Sequence, residues 1–431
     1  MPRDDPDDPI ALLLEGRYPD PETGELLRAQ SRSVVIAPSL DGAEADLVGA
    51  LGLGRRLAVI SDPDTHAALG RRVERALGAR FDVQSIVLAS RPHADTETLA
   101  RAAARVDPRT DAIVAVGAGT INDLCKLVAL GRGCPQVVFA TAPSMNGYTS
   151  LSASLTEAGL KRSIRAATPV GVFFDLGVLA AAPLRLIRAG LGDSACRPTA
   201  QADWLLSHLL LDRPYREVPF TLLAGDEGEL FARARALVAG DLEAMQRLVR
   251  TLVLSGFGMT LCDGSYPASQ GEHLISHYVD AMGPPDLPEA LHGEQTGVAA
   301  VAMSELQERI LARAAPPVLR PTTAGRDDLI RRYGPERGEA CWRELSGKHF
   351  GRARTDELNA RLAARWGEMR ARIGAVTVGA ARLREVLEAA GAPVAPAQLG
   401  WSASLMADAL AHARELRNRY TFLDLAADLV S

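Results

Sequence analysis

Short apolar runs of six or seven residues, each bounded by Gly, Pro or Asp, punctuate the first third of the chain. They are SVVIAP (33–38), RLAVIS (56–61), QSIVLA (84–89), DAIVAVG (111–117) and QVVFATA (136–142). Their β-branched character and turn-residue boundaries predict strands. Helix-period segments such as LDGAEADLVGALG and ADTETLARAAARV separate several of them. That alternation predicts a parallel sheet wrapped by helices. From about residue 175 the pattern changes, and Ala, Leu, Arg and Glu recur at helical spacing in PLRLIRAGLGD, ARARALVAGDLEAMQRLVRTLVLSG and DELNARLAARWGEMRARI. The expected organisation is an acidic, weakly ordered arm over residues 1–30, an α/β domain over 31–176 and an all-helical domain over 177–431. A chain of 431 residues exceeds one ordinary core, so two domains are the default, and the cleft between them is the expected active site.

Composition removes several function classes. An apolar share of 47% with 23% charged residues describes a globular protein, and a net charge of −5 with no basic stripe argues against a nucleic-acid partner. The longest apolar windows are interrupted by glycine and too short to cross a bilayer. Five scattered cysteines with no C-x-x-C pair predict reduced thiols and a cytoplasmic location rather than a disulfide framework. Only three lysines occur, Lys126, Lys161 and Lys348.

Chemistry concentrates in a few segments. In DAIVAVGAGTINDLCKLVAL an apolar strand runs into G-A-G-T and then a helix start. Glycines permit close backbone approach and N–H groups at a helix start attract an anion, so the pattern reads either as a seat for the pyrophosphate of a dinucleotide or as an ordinary tight turn. Asp62, ending RLAVIS, is placed to accept from an adenosine ribose hydroxyl or to cap a helix, and a carboxylate there favours NAD over NADP. ATAPSMNGYTSLSAS follows the next strand and offers the hydroxyls of Thr141, Ser144 and Ser150. Further on, GEHLISHYVD places His273 and His277 four residues apart on one helical face, and LHGEQTG brings His292 at the start of a second helix. With Asp193 from the AGLGD turn, His273 and His292 make three-quarters of a tetrahedral Zn2+ shell, the fourth corner left for substrate or water.

Taken in order, GAGTINDLCK, TAPSMNGYTS, AGLGD…ADW, GEHLISHYVD, LHGEQTGV and the closing RNRYTFLDLA resemble the sn-glycerol-1-phosphate dehydrogenase family. That family lies within the superfamily of iron-containing alcohol dehydrogenases and dehydroquinate synthases. The resemblance implies a Rossmann-like N-terminal domain, a helical C-terminal domain and NAD(H)- or NADP(H)-linked, metal-dependent reduction of dihydroxyacetone phosphate to sn-glycerol 1-phosphate. It implies one metal ion per chain on Asp193, His273 and His292, and a cofactor site of Asp62, Gly117 to Ile121, Thr141, Ser144 and Ser150. Asn146, Asp193 and His277 would meet a small phosphorylated triose or polyol, with Asp193 and His277 as the catalytic pair. A homo-oligomer is expected.

Iron-dependent members of the superfamily carry a fourth ligand, histidine, four residues after the aspartate. Arg197 stands there and has no lone pair to offer, which favours zinc. Family members carry Asp where this chain has Asn146, and Pro198 falls early in an expected helix. The substitution at 146 keeps open a polyol or phosphonate-type alcohol dehydrogenase, and a dehydroquinate synthase-like cyclase that retains NAD is a further alternative of another reaction class. The substrate phosphate requires a cation, for which Lys161 is one candidate.

Overall fold

The computed structural model describes residues 7–157 and 160–430. Its contacts divide the chain into two compact units, residues 1–194 with 217–265 and residues 195–216 with 266–431. The division therefore falls some eighteen residues beyond the expected 176, and a later helical stretch returns to the first unit. Helical spacing identifies an element but not the core it joins. In helix Leu242–Leu261, Leu248, Val249 and Val253 are fully buried, and the Val253 carbonyl accepts from Thr149 Oγ1 at 2.8 Å.

The first unit is built on a six-stranded, all-parallel sheet of β1 (Ser33–Ala37), β2 (Arg56–Ser61), β3 (Asp82–Val87), β4 (Ala112–Gly117), β5 (Gln136–Ala140) and β6 (Gly171–Asp175). Their order is β1-β6-β5-β4-β2-β3. Every residue of β4, β5 and β6 is buried, whereas the edge strands β1 and β3 are only partly covered. Continuous apolar runs thus sit where both faces carry helices. Five strands coincide with the expected runs to within two residues or so. β6 was not among them: GVFFD is a five-residue run without a helix-period segment before it. A polar hairpin of Ser152–Glu157 and Leu160–Arg165 precedes it.

Residues 8–27, inside the stretch expected as a weakly ordered arm, form helix Pro9–Glu15 and a small antiparallel pair, Tyr18–Pro19 with Leu26–Leu27. Asp8 caps the helix and also meets Arg250 at 2.9 Å, while Ile10 and Leu13 are buried. Two apolar anchors hold a segment whose acidic composition conceals them.

The second unit is helical around one core that includes Leu206, Ile275, Val298, Met303, Trp366 and Phe422. Its helices Arg197–Leu211, Gly271–Met282 and His292–Leu311 carry the candidate chemistry. Pro198 lies in the first turn of its helix, where its missing N–H costs nothing. No helix among the described residues is long and apolar enough to cross a membrane.

Candidate active site

The strand order reverses between β2 and β4, since β2 is followed by β3 on one side and then by β4 on the other. In open α/β sheets the crevice at the carboxyl ends of such a pair binds nucleotides. β2 and β4 pair in parallel up to Ile60 opposite Ala115, so the register carried forward sets Asp62 level with Gly117. The two sequence candidates for opposite ends of a dinucleotide thus leave neighbouring strands.

At the end of β4, residues 112–117 and 121–129 are buried, and only Ala118, Gly119 and Thr120 are partly open. Helix Gly119–Arg132 begins there with Ala118 as N-cap and no side-chain cap, which leaves its first N–H groups as anion donors. Gly117 is required for packing: a Cβ would lie 2.5 Å from that of Ile121. Asp62 is the N-cap of the turn Pro63–Thr65, its Oδ1 accepting from Thr65 N at 2.9 Å. The capping alternative is realised, and Oδ2 has no protein partner among the described residues.

The loop after β5 is fixed from three sides. Lys126, buried in helix Gly119–Arg132, donates from Nζ to the carbonyls of Gly147 (2.6 Å), Ser150 (2.9 Å) and Ser152 (3.1 Å). Burial lowers its pKa to about 8, against the attraction of Asp123. Asp123 in turn accepts from Ser154 N at 2.9 Å. Gly190 and Gly256 press on the loop from two helices. A Cβ at 190 would stand 1.7 Å from the Pro143 carbonyl oxygen, and one at 256 would stand 2.1 Å from Thr149 Oγ1. Ser150 Oγ is engaged with the Gly147 and Ser152 carbonyls, each 3.1 Å away, so its hydroxyl shapes the loop. Thr141 is buried next to β4, its N–H donating to Gly117 O at 3.2 Å, and Ser144 is partly open. Met145 packs against the glycine turn, 3.3 Å from where a Cβ of Gly119 would be.

Asp193 ends this half of the chemistry. It lies in helix Leu184–Ala195, is buried, and accepts from Asn146 N at 2.8 Å through Oδ2. Asn146 therefore meets Asp193 through its backbone.

The imidazoles belong to the second unit. The ring centroids of His273 and His292 are 4.9 Å apart, and His277 lies 6.3 Å from the first and 6.2 Å from the second. His273 Nδ1 is 2.9 Å from Oε1 of the fully buried Glu272, which also accepts from Gln270 N at 2.8 Å. A carboxylate on Nδ1 fixes the ring and its tautomer, as the outer partner of a metal-bound histidine usually does. Between the two helices Ser276 donates to Gln295 Oε1, and Gln295 Nε2 donates to Asp280 at 2.9 Å, which holds His273 and His292 in register.

The start of helix Gly271–Met282 is held by Asp203. Its carboxylate accepts from Gly271 N and Phe422 N, both at 2.9 Å, and from Gln307 Nε2 at 3.2 Å. Burial and the neighbouring Glu272 raise its pKa to about 8. Asp203, Glu272, Gly190 and Gly256 were not singled out from the sequence. Glu272 adjoins a candidate ligand and was the one within reach of sequence reasoning; the glycines give no signal outside the fold. The Lys161 side chain lies outside what the structure describes.

The model of the iron-containing alcohol dehydrogenase family matches residues 35–183. The chain is 33% identical over 276 residues to a glycerol-1-phosphate dehydrogenase [NAD(P)+] of Thermococcus kodakarensis, covering 64% of this chain and 77% of the relative. It is 30% identical over 373 residues to the enzyme of the same name from Bacillus velezensis, covering 85% of this chain and 84% of that one. In fold it resembles sulfoacetaldehyde reductase of Bifidobacterium kashiwanohense, with a TM-score of 0.58 and 15% identity over 92% of this chain and 96% of that one. These likenesses identify the chain as a member of the glycerol-1-phosphate dehydrogenase family, among the iron-containing alcohol dehydrogenases.

Proposed function

We propose that this chain reduces dihydroxyacetone phosphate reversibly to sn-glycerol 1-phosphate with NADH or NADPH, using one zinc ion. The observation that carries it is the identity with a glycerol-1-phosphate dehydrogenase over 77% of that relative's length. The donor set fits a metal: two imidazoles on facing helices, one with its Nδ1 committed to a buried carboxylate, and the carboxylate of Asp193. In this reading Asp193, His273 and His292 hold the ion, which supplies Lewis-acid polarisation of the ketone oxygen. Arg197 stands in the fourth-ligand position of iron-dependent members and keeps its charge, burial bringing it down only to about 10. That favours zinc.

The chain's own groups do the rest. Uncapped N–H groups over Gly117 to Ile121 receive the pyrophosphate, Asp62 Oδ2 takes a ribose hydroxyl, and the loop holding Thr141, Ser144 and Ser150 seats the nicotinamide, which supplies the hydride. Asn146 contacts a substrate hydroxyl. His277 passes a proton to the nascent alkoxide, a task for which imidazole is suited near neutrality. Five cysteines outside any disulfide fit a cytoplasmic protein, and we place it there as a homo-oligomer.

The deciding experiment is a nicotinamide-absorbance assay with dihydroxyacetone phosphate before and after chelation. Turnover lost on chelation and restored by one equivalent of zinc supports the reading. Reduction of unphosphorylated dihydroxyacetone alone would transfer it to a polyol dehydrogenase, and consumption of neither would end it.

A further inference from the structure

A second group of ligand-type side chains surrounds His273. One donor atom each of Cys196, Glu272 and His273 lies within 4.8 Å of the others. All three are buried, at 1%, 0% and 6% exposure. Cys196 sits at the start of helix Arg197–Leu211, with Sγ directed at the Ala268 carbonyl 3.9 Å away. Glu272 Oε2 accepts from Thr199 Oγ1 at 3.4 Å. We propose that these three residues form a second, thiophilic ion site that shares His273 with the catalytic set, so that excess Zn2+ or Cd2+ inhibits the enzyme. This rests on the reading of His273 as a ligand of the first ion.

The chemistry balances without a new buried charge. A divalent ion enters, and two protons leave, one from the Cys196 thiol and one from His273 Nδ1, while Glu272 keeps its carboxylate form. The desolvation cost that opposes an isolated buried cation is thereby avoided. Ligand atoms around a tetrahedral zinc stand roughly 3–4 Å apart, so the side chains need only close by about an ångström. A thiolate in the set favours zinc and softer ions over magnesium, manganese or calcium.

The consequence follows from the bond that is lost. An ion on His273 Nδ1 takes the place of the hydrogen bond to Glu272 and sets a second dication on the ring that holds the first; the repulsion and the lost outer partner together are expected to weaken metal holding by about 10–100-fold. The first ion then dissociates more readily, and turnover falls.

The test loads the full-length protein with one equivalent of zinc and titrates it with Cd2+, reading ultraviolet cadmium–thiolate absorption and turnover together. The expected result is a thiolate band and inhibition that saturate together at one further equivalent. Cys196→Ser should lose the band and need at least about tenfold more cadmium for inhibition, with unchanged turnover at one equivalent of zinc. Cys196→Ala repeats the comparison and guards against a serine-specific folding defect. A band of equal size in both variants, or equal inhibition of all three proteins, overturns the proposal. The cadmium band without any turnover on dihydroxyacetone phosphate sinks the proposed function and leaves this site standing; turnover without the band does the reverse.

Discussion

A lysine buried with its ammonium against three carbonyls joins segments that a surface lysine cannot. Lys126 ties Gly147, Ser150 and Ser152 to helix Gly119–Arg132, and so ties the loop proposed for nicotinamide to the helix proposed for pyrophosphate. Lys126→Met keeps the volume but removes three charge-assisted hydrogen bonds; Gly147 O and Ser152 O keep Ser150 Oγ as a donor, so the loss is smaller than that of three unsatisfied buried carbonyls at about 1–3 kcal/mol each. We expect a stability loss of about 2–4 kcal/mol and a raised KM for the dinucleotide, with a smaller effect on kcat. The pH dependence has a definite sign. Folding lowers this group's pKa from 10.5 to about 8, so between those values the unfolded chain holds more protons than the folded one. Stability from this group therefore rises with pH from about 8 to 10.5, and the methionine variant lacks that rise. Denaturant titrations of both proteins at either end of the window measure it; parallel curves would show that the lysine does not titrate on folding.

At the scale of elements, what the sequence discloses depends on whether the signal is local. Five of six sheet strands were legible because each is a β-branched run between Gly, Pro or Asp, and the glycine turn because G-A-G-T follows such a run directly. His273 and His277 were legible together because they stand four residues apart on one helix, and His292 because it opens the next helix after a short Pro-rich break. Long-range contacts were not. Nothing near Gly190 in sequence announces the Pro143 carbonyl beneath it, and nothing in helix Leu242–Leu261 declares that it belongs with the sheet. Gly190 and Asp193 are three residues apart and share a helix face, so the close approach at 190 is what allows Asp193 to reach Asn146 N. Gly190→Ala and Gly256→Ala should each destabilise by roughly 1–3 kcal/mol or more through overpacking, and Gly190→Ala should also weaken metal retention. Gly367, exposed inside helix Arg352–Gly374 with open space around it, is the contrast: Gly367→Ala should stabilise by up to about 1 kcal/mol through helix propensity. Thermal midpoints that fall in the first two variants and rise in the third check the assignment, and an unchanged midpoint for Gly190→Ala would mean the loop moves aside freely.

For the whole molecule, the proposed division of labour between the two units would make dinucleotide binding and ketone reduction separable. Asp62, Gly117 to Ile121, Thr141, Ser144 and Ser150 all belong to the first unit, whereas His273, His277 and His292 belong to the second. Each unit has its own core, the first around Val114, Phe139 and Phe173 and the second around Ile275, Val298 and Trp366. The crevice between β2 and β4 owes nothing to the imidazoles: its geometry comes from strand register, an uncapped helix start and the Lys126 clamp. Stripping the metal, or replacing His273 by alanine, should therefore abolish reduction of dihydroxyacetone phosphate while the dissociation constant for NADH changes by less than about threefold, well under 1 kcal/mol. NADH fluorescence titrations of the loaded protein, the chelated protein and His273→Ala make the comparison. Loss of NADH binding in parallel with loss of metal would mean that the nucleotide site is assembled only when the ion is held, and the assignment of pyrophosphate to the glycine turn alone would fall.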